Sequence, residues 1–163
     1  MPAVAHAPPR PLRILYAEDD VLLRTMVAGV LRKHGPFPVD VTTCSDGIKA
    51  LALVRAHREA DQPFQLLLLD IEMKVMHGHD VALAVRREEA DCGLQPVPIV
   101  FISGLLPADP RQQAALKQSA PTIYLDKRNY RDGLELGERL VAIIRSWFSF
   151  EDGAVIFKGA INL

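Results

Sequence analysis

The stretch Leu66-Leu67-Leu68-Leu69-Asp70-Ile71-Glu72-Met73 constrains this chain more than any other. Apolar residues at consecutive positions, closed abruptly by a carboxylate, read as a strand buried on both faces, and such strands belong to parallel sheets with helices on each side. In open sheets of that kind ligands bind beyond the carboxyl ends of the strands. Asp70 therefore stands where chemistry is expected.

The rest of the chain repeats the pattern. Leu12 to Ala17 is a short apolar strand that ends in Glu18-Asp19-Asp20, a second buried run handing carboxylates to a strand end. Leu22, Leu23, Met26, Val27, Val30 and Leu31 follow at helical spacing, and Arg32-Lys33-His34-Gly35-Pro36 marks a helix C-terminus through cations in the last turn, then Gly and Pro. Val39 to Cys44 reads as a strand, and Ser45-Asp46 caps a helix carrying Ile48, Leu51, Ala52 and Leu53 that stops near Asp61-Gln62-Pro63. After the Asp70 strand come a loop through Gly78, a helix from about Asp80 to Glu89, and a strand from Ile99 to Ile102 that ends at Ser103-Gly104. Asp109-Pro110-Arg111-Gln112 combines a capping residue, a first-turn proline and a glutamine three residues on, which predicts a short polar helix. Thr122 to Leu125 is the fifth strand, followed by Asp126-Lys127, and the final helix aligns Leu136, Leu140, Ile143, Ile144 and Trp147 on a stripe that reads as core contact or a dimer seam. Five strand–helix alternations predict an α/β fold: a five-stranded parallel sheet with helices on both faces.

Length and charge narrow the class. A chain of 163 residues holds one domain with a full core plus tails. With 19 basic and 20 acidic residues it calls for neither nucleic acid nor an anionic membrane as partner. It has neither a spanning apolar run nor a secretory signal, so a cytoplasmic location is expected. Cys44 and Cys92 have no metal-ligand spacing and read as reduced thiols; His34, His77 and His79 have no partners at ligand spacing and read as solvated. Residues 1–11 hold four prolines and read as a disordered leader, 12–148 as the domain, and 149–163 as a C-terminal extension. In that extension Val155, Ile156, Phe157 and Ile161 follow an Asp152-Gly153 turn signal. Their burial offsets the cost of ordering the backbone only if the backbone also pairs, so a dimer arm, packing on the chain's own domain and disorder all stay open.

A parallel sheet brings the strand ends carrying Glu18 and Asp19, Asp70, Ser103, and Lys127 to one edge. Carboxylates that close repel by about 4 kcal/mol per pair at ~4 Å and an effective dielectric near 20. A divalent cation or a lysine must offset that, and magnesium suits the site because it takes oxygen ligands, keeps waters and accepts phosphate oxygens. A carboxylate beside such a metal can attack phosphorus, provided cations and hydrogen-bond donors hold the added charge. Lys127 is the candidate cation and Ser103 the candidate donor. Asp20 reads only as the first turn of the helix that follows it.

In this ordered set the chain resembles the receiver domain of bacterial two-component response regulators, over about Leu12 to Phe148. The motifs are Glu18-Asp19, then Asp70 with Met73, Met76 and Gly78 behind it, then Ser103-Gly104, then Tyr124 and Lys127. The resemblance implies a doubly wound, flavodoxin-like sheet in the order 2-1-3-4-5. It implies that Asp70 is the phosphoacceptor, and that Glu18, Asp19, Asp70 and the backbone carbonyl of Glu72 hold Mg2+, with Mn2+ as a substitute. Ser103 and Lys127 would meet the phosphoryl group, and Ser103 and Tyr124 would switch with it. The implied phosphoryl donor is a sensor histidine kinase or a histidine phosphotransfer protein. Output to a downstream protein would pass through the fourth predicted helix, the fifth strand and the last helix, with a homodimer through that last helix or the C-terminal extension as a further expectation. Lys74 and Arg128 depart from the family, standing where prolines are usual, and Glu72 adds a carboxylate near the site.

Two other functions fit parts of the pattern. A phosphorylation-independent interaction module would keep the fold and lose the chemistry. A magnesium-dependent phosphatase with Asp70 as nucleophile would need an aspartate at the position of Glu72 and a cap over its substrate. With no second domain following, DNA binding or an output enzyme in the same chain is not expected. Taken alone, Ser103 also reads as a polar loop residue, Lys127 as a surface lysine and Tyr124 as half-buried packing.

Overall fold

The computed structural model describes residues 7–104, 110, 111, 114 and 121–159. Its strands are β1 (Leu12–Ala17), β2 (Val39–Cys44), β3 (Leu66–Asp70), β4 (Ile99–Ser103) and β5 (Thr122–Asp126), all parallel and in the order β2-β1-β3-β4-β5. The helices are α1 (Val21–His34), α2 (Gly47–Glu59), α3 (Gly78–Asp91) and α4 (Gly133–Trp147). Pro110, Arg111 and Ala114 are helical, while Asp109 and Gln112 of the predicted polar helix lie outside the described residues.

The leucine run is explained by two cores, one on each face of the sheet. Leu66 and Leu68 join Leu12, Ile14 and Tyr16 beneath α1 and α4, whereas Leu67 and Leu69 join Leu15, Ala17 and Phe101 beneath α2 and α3. Successive side chains of a strand point to opposite faces. A central strand sandwiched in this way has no wet side and reads as continuous leucine.

Aspartates start three of the helices. Asp20 accepts from the Leu23 N–H, Asp46 from the Lys49 N–H and Asp132 from the Glu135 N–H, at 2.9–3.0 Å. Each satisfies a donor that the first helical turn leaves unpaired. The stripe of α4 is buried against α1, so it is core contact and is not exposed as a dimer seam. The two helices meet where α4 has no side chain: a Cβ on Gly137 would lie 2.7 Å from Val30 Cβ, and one on Gly133 would lie 2.8 Å from Met26 Cβ.

Helix α3 starts at Gly78, two residues before the expected Asp80, and Gly78 passes close under β3. A Cβ there would stand 2.3 Å from the Asp70 carbonyl oxygen, so only glycine fits. His79, in the first turn of α3, is buried and stacks on His77, which corrects the reading of His79 as solvated.

Past α4 the chain makes a second sheet. β6 (Phe148–Glu151) and β7 (Ala154–Phe157) pair antiparallel, joined by Asp152 and Gly153, both at positive φ. That is the backbone an Asp-Gly hairpin turn requires. The backbone of the extension pairs with itself, beginning at Phe148 rather than 149. The hairpin packs on its own domain: Phe148 and Val155 are buried and Phe157 meets Trp147 edge-on. Gln65 donates to the Val155 carbonyl at 3.2 Å, and the Arg10 N–H donates to the Gly153 carbonyl at 2.9 Å, so the end of the leader is tied to the hairpin. Ile161 lies outside the described residues, as do residues 1–6. Cys44 and Cys92 are free thiols. Among the described residues no helix is long and apolar enough to cross a membrane.

Candidate functional site

The carboxyl edge of the sheet gathers the residues that the sequence singles out. Glu18 and Asp19 follow β1, Asp70 ends β3, Ser103 ends β4, and Tyr124 and Lys127 lie in and just after β5. Ligand oxygens of Glu18, Asp19 and Asp70 all lie within 4.8 Å of one another. Glu18 is fully buried and Asp70 is 1% exposed, whereas Asp19 is half-buried.

Lys127 reaches into this cluster. Its Nζ lies 2.9 Å from Glu18 Oε2 and 3.2 Å from Asp70 Oδ2. Burial pulls the ammonium pKa down, and the charges of Asp70 and Glu18 more than offset it, so the group is held above its usual range and stays cationic. Asp70 moves the other way for a carboxylate. Burial and the adjacent Glu18 charge push its pKa well up, against the pull of Lys127 and of the Glu72 N–H, which donates to Asp70 Oδ1 at 3.1 Å.

Three carboxylates against one ammonium leave two negative charges when all are ionised. The donor set is oxygen only and opens on one side through Asp19. A hard divalent cation of the Mg2+ or Mn2+ kind fits that chemistry, with Glu18, Asp19 and Asp70 as its ligands. A softer metal would seek nitrogen or sulfur, which the cluster does not offer.

Ser103 is fully buried, and its hydroxyl donates to Glu72 Oε1 at 2.6 Å. Tyr124 hydrogen-bonds to Ser103 from β5, and its own hydroxyl pKa is raised, mainly by burial. Arg128 makes a bond that a proline could not: its N–H donates to Asp126 Oδ1 at 2.9 Å, capping the short 3-10 turn Lys127–Asn129 that carries the lysine. The loop behind Asp70 bears Lys74 and then Val75, which is exposed with φ at 69°, a left-handed conformation costly for a β-branched residue.

Two residues at the site escape sequence reasoning. Arg24 donates from Nη1 to the Glu18 carbonyl at 2.6 Å, fixing the acidic turn from one turn into α1. A cation there is opposed by the helix dipole, and that misfit is the available signal. Tyr16 is fully buried with its hydroxyl 3.5 Å from Glu18 Oε2, and burial together with the Glu18 and Asp70 charges raises its pKa. Nothing in the β1 sequence separates it from an ordinary core residue.

Comparison with known proteins agrees with this geometry. The family described as the response regulator receiver domain matches residues 14–140. Among curated relatives, histidine kinase CKI1 of Arabidopsis thaliana is 29% identical over 123 residues, 71% of this chain and 11% of that protein. A protein-glutamate methylesterase/protein-glutamine glutaminase of Myxococcus xanthus is 29% identical over 150 residues, 84% of this chain and 39% of that protein. The chain thus spans well under half the length of these relatives. Among solved structures, the phosphorylated cyanobacterial phytochrome response regulator RcpA superposes with a TM-score of 0.68 at 20% identity, covering 85% of this chain and 94% of that one. The CKI1 receiver domain complexed with Mg2+ gives 0.64 at 25% identity, covering 82% and 90%.

Proposed function

Because the chain belongs to the response regulator receiver domain family, we propose that it is a phosphoacceptor switch in which Asp70 takes a phosphoryl group and a changed surface signals it. The observation that carries this reading is the Lys127 ammonium lodged between Glu18 and Asp70, at 2.9 and 3.2 Å, inside a cluster of three acids. A structural carboxylate needs one partner, whereas this one is buried among like charges at the edge where ligands of such sheets bind.

In the proposed step an Asp70 carboxylate oxygen attacks the phosphorus of a phosphorylated histidine. The new P–O bond forms as the P–N bond breaks, and the electron pair leaves on the imidazole nitrogen, which takes up a proton. Lys127, already cationic, neutralises a phosphoryl oxygen, and the Ser103 hydroxyl donates to another. Glu18, Asp19, Asp70 and the Glu72 carbonyl would hold Mg2+ or Mn2+, which supplies charge neutralisation at the phosphoryl oxygens when bound; the CKI1 receiver, solved with Mg2+, supports this assignment by analogy.

The donor is a sensor histidine kinase or a histidine phosphotransfer protein, the target is a downstream protein, and the setting is cytoplasmic. The chemistry is confined to the chain's own aspartate: phosphotransfer in and slow loss to water. Tyr124, bonded to Ser103, is the residue that carries the change to the β5 surface. A homodimer is proposed through the Phe150 and Ile156 side chains that the packed hairpin leaves exposed. Acetyl phosphate with magnesium, read by intact mass, tests the central claim. One phosphoryl adduct absent from Asp70→Asn is expected; no adduct on the wild type means an inert module, and sustained turnover means a phosphatase.

A further inference from the structure

Resting on that reading, we infer that the Glu72 carboxylate is a built-in competitor for the Ser103 hydroxyl, holding it off Asp70 until a phosphoryl group takes it over. The contact is short, 2.6 Å from Ser103 Oγ to Glu72 Oε1. It belongs to the charge-assisted class, which is stronger than neutral pairs. Glu72 is placed for it by two features. Its backbone N–H is pinned to Asp70 Oδ1 at 3.1 Å, so the main chain is fixed to the phosphoacceptor while the side chain spans to the end of β4. The main chain at residue 104 does not crowd it: a Cβ there would lie 3.9 Å from the carboxylate oxygen, an ordinary contact.

A serine hydroxyl carries one proton and donates to one acceptor at a time. While it serves Glu72 it does not serve a phosphoryl oxygen on Asp70, although Ser103 adjoins Ile102, which is in register with Asp70. Phosphorylation adds negative charge beside Glu72 and offers a rival anionic acceptor. The hydroxyl changes hands, Glu72 is released toward solvent, and Tyr124 loses the resting orientation of its Ser103 partner. Glu72 is thus a positioning residue that sets how readily the occupied state forms.

Calorimetric titration of the full chain with beryllofluoride in the presence of Mg2+ tests this, using wild type, Glu72→Ala, Glu72→Gln, Ser103→Ala and the Glu72→Ala/Ser103→Ala double variant. Glu72→Ala is expected to bind about tenfold more tightly, the low end of what a hydrogen bond to a charged group contributes. Glu72→Gln, which keeps an acceptor and loses the charge, is expected to fall between. The gain must vanish in the Ser103→Ala background. Affinity unchanged or weakened by Glu72→Ala overturns the inference, and so does a gain that persists without Ser103, because it would then be bulk charge. Wild type that neither binds beryllofluoride nor takes a phosphoryl group from acetyl phosphate would instead sink the receiver reading itself.

Discussion

Asp70→Asn should make the metal-free protein more stable, and the size of the gain follows from the site. Glu18 and Asp19 lie within 4.8 Å of Asp70, so at an effective dielectric near 20 each repels it by at least about 3.5 kcal/mol, a figure to be roughly halved for half-exposed Asp19. Lys127 at 3.2 Å returns about 5 kcal/mol on the same scale. Repulsion and attraction cancel, which leaves the penalty of holding a carboxylate in a site where it is 1% exposed. Asparagine removes that charge, keeps an acceptor for the Glu72 N–H, offers a donor to Glu18, and leaves Lys127 its 2.9 Å partner. A net gain of about 2 kcal/mol is expected, or about 4–8 °C in Tm for a domain of this size. The assay is thermal unfolding in chelator, then with magnesium, which should raise the wild type by mass action and the variant far less. The sign with pH is fixed too. The folded-state pKa of Asp70 is raised, so the native protein binds more protons than the unfolded chain above the ordinary carboxylate range, and wild-type stability falls as pH rises from about 4 toward neutrality. The advantage of the variant should grow over that window and vanish below it. A variant that melts at or below wild type in chelator at neutral pH, or one stabilised equally by magnesium, would refute the reasoning.

Other perturbations probe the frame around the site. Leu68→Ala, in the fully buried strand β3, should cost about 2–5 kcal/mol by denaturant unfolding with an unchanged m-value. Gly137→Ala puts a methyl group 2.7 Å from Val30 Cβ and should destabilise by about 1–3 kcal/mol, although alanine is the better helix former. Asp132→Ala removes the α4 cap and should cost about 1 kcal/mol, seen as a lower urea midpoint. Replacing Phe150 and Ile156 by serine should leave the fold intact by circular dichroism and, if the hairpin is a dimer arm, lower the mass in solution; unchanged mass rejects the arm.

The elements were legible wherever one local rule decides them. Leu66–Asp70 reads as a central strand because a short run of four leucines closed by a carboxylate suits a strand covered on both faces, and Asp20 and Asp46 announce helix starts through chemistry that acts within four residues. The gathering of Glu18, Asp19, Asp70 and Lys127 was legible for a topological reason, since parallel strands put their carboxyl ends on one rim. What stayed hidden depends on distance in space. The Gly78 approach to the Asp70 carbonyl and the burial of His79 beside it both depend on how α3 lies against β3, which no local pattern shows. The hairpin was ambiguous because its burial rests on Trp147 and Gln65, remote partners that no local pattern reveals. The partner of Arg24, hinted at only by a cation in a first helical turn, and the Glu72–Ser103 bond stay hidden for a related reason: each is a rotamer reaching a group that only the fold supplies.

The bare glycines that let α1 and α4 touch have a mechanical consequence. The α4 backbone rests directly on the Met26 and Val30 side chains of α1, which leaves that flank little clearance to slide. The edge strand β5, with Tyr124 on it, flanks β4 at the border of the sheet. On the proposed reading, a protein that only needs to hold this chain can grip the locked helix pair, whereas one that must sense whether Asp70 is loaded has to touch β5.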